Sequence, residues 1–252
     1  MIVVQRDEGA FCVGQAAHAW VSGQLARRWG NGRFAAPEPF DEFCLGAEQH
    51  DVGMAEWDLA PTLDEDSGFP TSFMDMPLSL HLNLWSAAPR RVLTLSPYAA
   101  LLTSMHGHAL YADRQTPEPD PEEDDRVRRF VEEQEAFQRE LLDRLGEDPD
   151  RARHNQRLLW SLDFLSLSLF MDWAPDSVPT PTRSGEPEVE IRVAPAGEDR
   201  LRVTPWPFGE DEVRVRCQAR HLAGPASGED ELHRALAAAP WVRLERTLVP
   251  LP

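Results

Sequence analysis

Residues 43–58 read FCLGAEQHDVGMAEWD, and the adjacent pair His50-Asp51 at the centre decides how the rest is interpreted. A histidine followed directly by an aspartate offers a nitrogen and an oxygen donor from one backbone turn. The stretch from about Phe40 into this pair has helical character and ends near Gly53. Outward from it, His18 lies upstream on a helical stretch. His81, His106 and His108 lie downstream, and Asp163 sits in a later apolar helix. Helices that converge can gather such side chains around an ion. Mixed imidazole and carboxylate sites suit zinc, manganese, iron or nickel.

For any single one of the eight histidines, a structural or surface role is the better expectation. The argument for metal is collective. Five of the eight fall between residues 18 and 108, mostly on helices with apolar flanks. Burying an imidazole without a partner is unfavourable, so several on core-facing helices need a shared reason. Asp163 interrupts the apolar run LLWSLDFLSLSLFMDW, where a lone buried carboxylate would cost several kcal/mol. A cation offsets that cost. The competing account is a buried pair with a histidine or an arginine such as Arg157. His154, His221 and His233 have charged or irregular neighbours and receive no role.

The chain has 252 residues, 42% of them hydrophobic, enough for one large domain and a real core. It carries 25 basic residues, all arginine, against 43 acidic ones, a net charge of −18. That surface repels phosphate backbones, so a general nucleic-acid binder is not expected. A small phosphorylated substrate remains compatible, because a bound metal reverses the local field. Cys12, Cys44 and Cys217 are widely spaced, form no CxxC pair and read as buried free thiols of a reducing compartment. The opening MIVVQRDEG is too short and charged for a signal peptide. The run containing Asp163 is too interrupted for a membrane span, so a soluble cytoplasmic protein without membrane contact is expected.

Residues 2–5 suggest a short strand, and Phe11 to Trp29 a helix stopped by Gly30-Asn31-Gly32. Residues 57–73 read as a long ordered loop. Leu78 to Trp85 is helical, with Pro89 ending or kinking it, and Ser96-Pro97 opens a helix through about Tyr111. TPEPDPEEDD is acidic and exposed. Pro121 to Leu145 is a charged amphipathic helix ended by Gly146, and Asp148-Pro149 caps the next, through about Trp173. SVPTPTRSGEPE resembles a linker. After it, VEIRVAP, RLRVTPWPF and EVRVRCQARHL alternate like half-buried antiparallel strands. A helix over Glu229 to Ala238 and a strand, WVRLERTLV, finish the chain. The expected architecture is mainly α: a metal-binding helical bundle over residues 1–175, then a small antiparallel β region at 176–252 packed on it, α+β overall.

The order histidine, His-Asp, aspartate on successive helices resembles the HD-domain superfamily of metal-dependent phosphohydrolases. QHDVG, WD with a proline soon after, FPTSF, SPYAALLTSMHGHALY and PWPF are similar, more narrowly, to the HD-like DUF3891 family over most of the chain. The resemblance implies His18 as the first ligand, His50 and Asp51 as the doublet and Asp163 as the last. It adds His81 and His106 in the interval where some members hold a second metal, with His108 as the substitute for His106. It implies one or two divalent ions (Mn, Fe, Ni, Zn or Mg). The superfamily often keeps a charged helper soon after the doublet. Here Val52-Gly53-Met54 follows, and Glu56 and Asp58 come only a little later.

The implied activity is hydrolysis of a phosphoester of a small molecule, nucleotide or other, by metal-activated water. Asp51 is central in the ligand order and would bridge two metals. Glu56 and Asp58 are the candidates for proton transfer. Arg27, Arg28, Arg90 or Arg91 would hold non-transferred phosphates, unless they are solvated helix ends. The loop from Trp57 to Phe73 would cover the site. Two other classes stand beside this one: a di-iron oxygenase-like HD protein, and a non-catalytic bundle that binds a metal, ligand or partner, with its strands as a docking edge.

Overall fold

The alternating segment IVVQR forms strand β1 (Ile2–Arg6), which turns tightly into β2 (Gly9–Val13). Gly9 has φ 122°, and a Cβ there would lie 2.0 Å from the Leu222 carbonyl oxygen, so the turn requires glycine. In this computed structural model, residues 1–6, 8–112, 120–171, 173–197 and 199–251 are described. The acidic segment TPEPDPEEDD falls partly outside them.

Helices follow as α1 (Gln15–Ala26), α2 (Phe40–Gln49), a 3-10 turn at Val52–Met54, and the short α3 (Ala55–Leu59). A loop leads through a second 3-10 turn, Phe73–Asp75, to α4 (Leu78–Leu93) and α5 (Pro97–Ala109). Next come α6 (Pro121–Leu145) and α7 (Pro149–Ser168). Capping explains several boundaries. The Ser96 side chain accepts from the Ala99 amide at 3.3 Å, and that of Asp148 from the Asp150 amide at 3.0 Å. Gly146 closes α6 at φ 59°. α4 runs on past Pro89 to Leu93, so Pro89 does not end it. Pro89 lies inside α4 with its ring buried.

The remaining strands are β3 (Asp176–Thr180), β4 (Val189–Pro195), β5 (Arg200–Thr204), β6 (Val213–Leu222) and β7 (Trp241–Pro250), with α8 (Glu229–Ala238) before the last. All seven strands form one sheet in the order β1-β2-β6-β7-β5-β4-β3. Its pairs are antiparallel except β5 with β7, which run parallel.

This corrects the expected mainly α bundle with a small antiparallel appendage. The fold is α+β around a seven-stranded mixed sheet, and the sheet crosses residue 175 because β2 pairs with β6 through Ala10–Leu222, Phe11–His221 and Cys12–Arg220. Two local patterns concealed it. The helix expected from Phe11 overlaps the second half of GAFCV, whereas α1 begins only at Gln15. The proline-rich stretch after Pro175 supplies β3, whose Pro179 is tolerated at the sheet edge.

One face of the sheet buries Ile191, Val193, Val203, Val215 and Cys217 against Leu158, Leu162 and Leu165 of α7 and Val21 and Leu25 of α1. All three cysteines are free and buried. Among the described residues, no helix is long and apolar enough to cross a membrane. The fold brings α1, the end of α2, α5 and α7 to one place: α1 packs on α2 and α7, and α5 on the same two helices.

Candidate metal centre

Each of these four segments contributes to one buried cluster. The amide of Gln15 at the start of α1 donates to Asp58 Oδ2 at 2.6 Å, which fixes the helix entry, and one turn later His18 points inward, fully buried. α2 ends at His50, also fully buried. Asp51 follows at φ −99°, ψ 13°, the sparsely populated bridge region that frees its side chain from the helix axis. α5 supplies His106 and α7 supplies Asp163.

His18 Nε2 lies 3.0 Å from Asp51 Oδ2 and 3.2 Å from Asp163 Oδ1. His50 Nε2 lies 3.5 Å and 3.4 Å from the same two oxygens. His106 Nε2 lies 3.5 Å from Asp163 Oδ2. Metal–ligand bonds of about 2.0–2.2 Å place neighbouring donors about 2.9–3.5 Å apart on a polyhedron, and the observed separations have that size.

Tautomers sharpen the fit. His50 Nδ1–H donates to the Ala47 carbonyl at 2.9 Å, so its Nε2 is left as a lone pair aimed at two carboxylates, buried and without a hydrogen bond. Ser166 Oγ donates to the Asp163 carbonyl at 3.0 Å and therefore accepts from His18 Nδ1–H at 2.5 Å. Ligand imidazoles are oriented in this way, by a partner on the outer nitrogen. Bare lone pairs facing carboxylates repel, so a proton or a cation must sit between them. His18, His50 and Asp163 offer donor atoms all within 4.8 Å of one another, a set that suits a divalent ion.

Without a cation, protons do that work. Burial opposes charge on His18, but its hydrogen bonds to Asp163 and Asp51 outweigh it and raise its pKa to about 9. Burial likewise opposes charge on His50, and Asp51 and Asp163 raise it. Asp163 is held well below the usual carboxylate range: burial works against this, and the adjacent His18 and His50 prevail. Burial and the neighbouring His50 lower His106 to about 4.

The other residues expected at the site lie elsewhere in the arrangement. His81 stands on the cavity wall outside the cluster. Trp85 Nε1–H donates to its Nε2 at 3.1 Å, so Nδ1–H faces the Tyr111 hydroxyl, and both nitrogens are engaged. His108 turns to Glu135, 3.5 Å away, which leaves His106 as the α5 histidine at the centre. Glu56 is 77% exposed and pairs with Arg91 at 3.1 Å. Asp58 joins the start of α1 to the Met1 nitrogen, 3.2 Å from Oδ1. Neither acid lines the cavity. Arg27 and Arg28 pair with Glu48 and Glu210, away from it.

A cavity of about 230 Å³ opens onto the cluster, with His18, Asp51, His106 and Asp163 at its base. Sequence reasoning missed Ser166, Ser22 and Gln15. Ser22 Oγ donates to Ser166 Oγ at 3.0 Å, and Gln15 lines the cavity with Oε1 buried and unpartnered. Their spacing was a usable signal: Gln15 precedes His18 by three and Ser166 follows Asp163 by three, one turn along the same helix face.

No curated protein and no solved structure matches the chain. The profile of the family described as Protein of unknown function (DUF3891) matches residues 1–224, most of the 252, and the chain belongs to that family.

Proposed function

We propose that this protein is a metal-dependent hydrolase of the HD-like kind, acting on a phosphoester of a small molecule. One observation carries the reading: three imidazole Nε2 atoms and two carboxylates converge at the base of an open cavity, with outer nitrogens of two of the imidazoles already held by Ala47 and Ser166. His18, His50, Asp51 and Asp163 would hold the ion, with His106 on the second oxygen of Asp163. A divalent ion held there would supply a water of lowered pKa and Lewis acidity toward a phosphoryl oxygen.

The chain's own residues do the rest. Asp51 and Asp163 would accept hydrogen bonds from the attacking water. His106 enters neutral, because burial and the neighbouring His50 lower its pKa to about 4. Gln15 offers an amide to the bound substrate. In the reaction water forms the new P–O bond, the ester P–O bond breaks, and one proton of the water ends on the leaving alcohol.

Metal analysis of the purified protein with none added, followed by turnover of generic phosphoesters with Mn²⁺, Ni²⁺ or Mg²⁺, tests this. Bound metal and turnover abolished by His50→Ala are expected. Unchanged turnover in that variant overturns the reading. A second reading has support from the aromatic walls around the base, Trp85, Trp160 and Phe164: the same ligands holding redox-active iron for oxygen chemistry on an apolar substrate. Iron in the purified protein, with oxygen consumption and no phosphatase turnover, selects it.

A further inference from the structure

The cavity above the cluster is apolar on nearly every side. Trp85, Trp160, Phe164 and Trp173 supply aromatic faces, and Met54 and Leu110 fill between them. An apolar cavity of about 150 Å³ is enough to take up benzene. At about 230 Å³, this one admits a single ring and a head group, and a base with its ribose and phosphates would have to extend past the rim at Met74, which is 59% exposed.

Charge points the same way. The two carboxylates at the base together carry two negative charges, which one divalent ion balances. Among the described residues no arginine lines the cavity, and the chain contains no lysine. Arg27, Arg28 and Arg91 are held by glutamates outside it. Extra phosphate charges would therefore enter a low-dielectric space with no cation to meet them. Gln15 is buried, its Oε1 has no partner, and it offers one neutral hydrogen-bonding group to whatever binds.

We infer that the cavity selects a substrate with one ring-sized apolar or aromatic body and a head group of at most one negative charge, such as an aryl phosphodiester, and discriminates against nucleotides. The head-group part rests on the hydrolase reading; the selection of the body does not.

Three probes separate the two parts by calorimetric titration and by quenching of the cavity tryptophans. Monomethyl phenylphosphonate and dimethyl phosphate each carry a single charge and differ by the ring. Adenosine monophosphate supplies the larger, more charged case. With Mn²⁺ present, the phenyl probe is expected to bind at least about tenfold more tightly than either other probe, a gap the size expected from burying one ring. Phe164→Ala should shrink that gap, and so should Leu110→Trp, which fills the cavity instead of emptying it. p-Cresol should bind the metal-free protein and be weakened by Leu110→Trp.

Equal binding of dimethyl phosphate and the phenyl probe overturns the inference and leaves the metal reading standing, as does tighter binding of the nucleotide. Failure of p-cresol to bind at millimolar concentration also overturns it. If p-cresol binds but Mn²⁺ adds nothing to any phosphonate or phosphate, the selection of the body stands and the metal-dependent hydrolase fails.

Discussion

Replacing Ser166 by alanine removes an oxygen that serves three neighbours at once. Ser166 Oγ accepts from His18 Nδ1 at 2.5 Å and from Ser22 Oγ at 3.0 Å, and donates to the Asp163 carbonyl at 3.0 Å. Ser22 has a second acceptor in the Leu162 carbonyl at 3.5 Å, whereas His18 Nδ1–H has none, and the ring is fully buried. The variant therefore strands one buried donor, at about 1–3 kcal/mol of stability. The cost for metal is separate. Without the outer partner, His18 is free to exchange tautomers and rotate, and loss of such a partner lowers metal affinity about 10–100-fold, or about 1.4–2.7 kcal/mol. Competition for Zn²⁺ or Mn²⁺ against a chelator of known affinity measures this, with urea unfolding of the metal-free protein beside it. Ser22→Ala is the control, because it leaves the His18 bond in place, and its affinity should stay within about threefold of the parent. Parental metal affinity in Ser166→Ala would refute the assignment of His18 as an oriented ligand. A matching loss in Ser22→Ala would show that packing, not the imidazole partner, is at work.

The pH dependence of the metal-free protein has a definite sign. His18 is raised from 6.5 to about 9, so its contribution to stability is complete below about pH 6.5 and is lost as pH rises through 9; melting temperature in chelator should fall across that interval. Metal affinity should rise over the same range as protons stop competing, and a melting curve flat from pH 6.5 to 9.5 would contradict the proposed charge pairing. Asp163, depressed in the folded state, contributes stability that is present above about pH 3.8 and lost as pH falls below it, so metal-free protein should denature in acid, read by circular dichroism. Gly107→Ala puts a Cβ 2.6 Å from Trp85 Cε3, and urea unfolding should show about 1–3 kcal/mol lost; a neutral result would mean that Trp85 moves freely and the cavity wall is soft. Glu56→Gln should leave metal affinity unchanged and stability within about 0.5 kcal/mol, because Glu56 is exposed and meets only Arg91; a tenfold loss of turnover would restore its expected role in proton transfer.

Much of the helical part could be read in one dimension because its causes are local. The Ser96 and Asp148 caps, the glycine at 146 and the 3.6-residue periodicity of Pro121–Leu145 act within a few residues of the atoms they place. Strand alternation did the same for Val189–Pro195 and Val213–Leu222. Sheet membership is different in kind. GAFCV pairs with β1 as a local hairpin, but it joins the sheet only because β6, some two hundred residues later, offers its edge, and the proline-rich β3 is a strand because β4 pairs with it. Local propensity is weak beside such pairing, and no short window of sequence contains both β2 and β6.

The site divides along the same line. The sequence by itself determined which side chains were anomalous: imidazoles and one carboxylate in apolar helices, where burial demands a partner. It could not determine which of them would meet. His106 and His108 are two residues apart on α5, about 200° around a helix, and only the packing of α5 between α7 and α6 sends one to Asp163 and the other to Glu135. His81 ends at Trp85 and Tyr111, and Glu56 at Arg91, for the same reason. Burial cost is a property of a residue and its near neighbours, whereas coordination and catalysis depend on ångström-scale distances between segments that only the folded chain brings together.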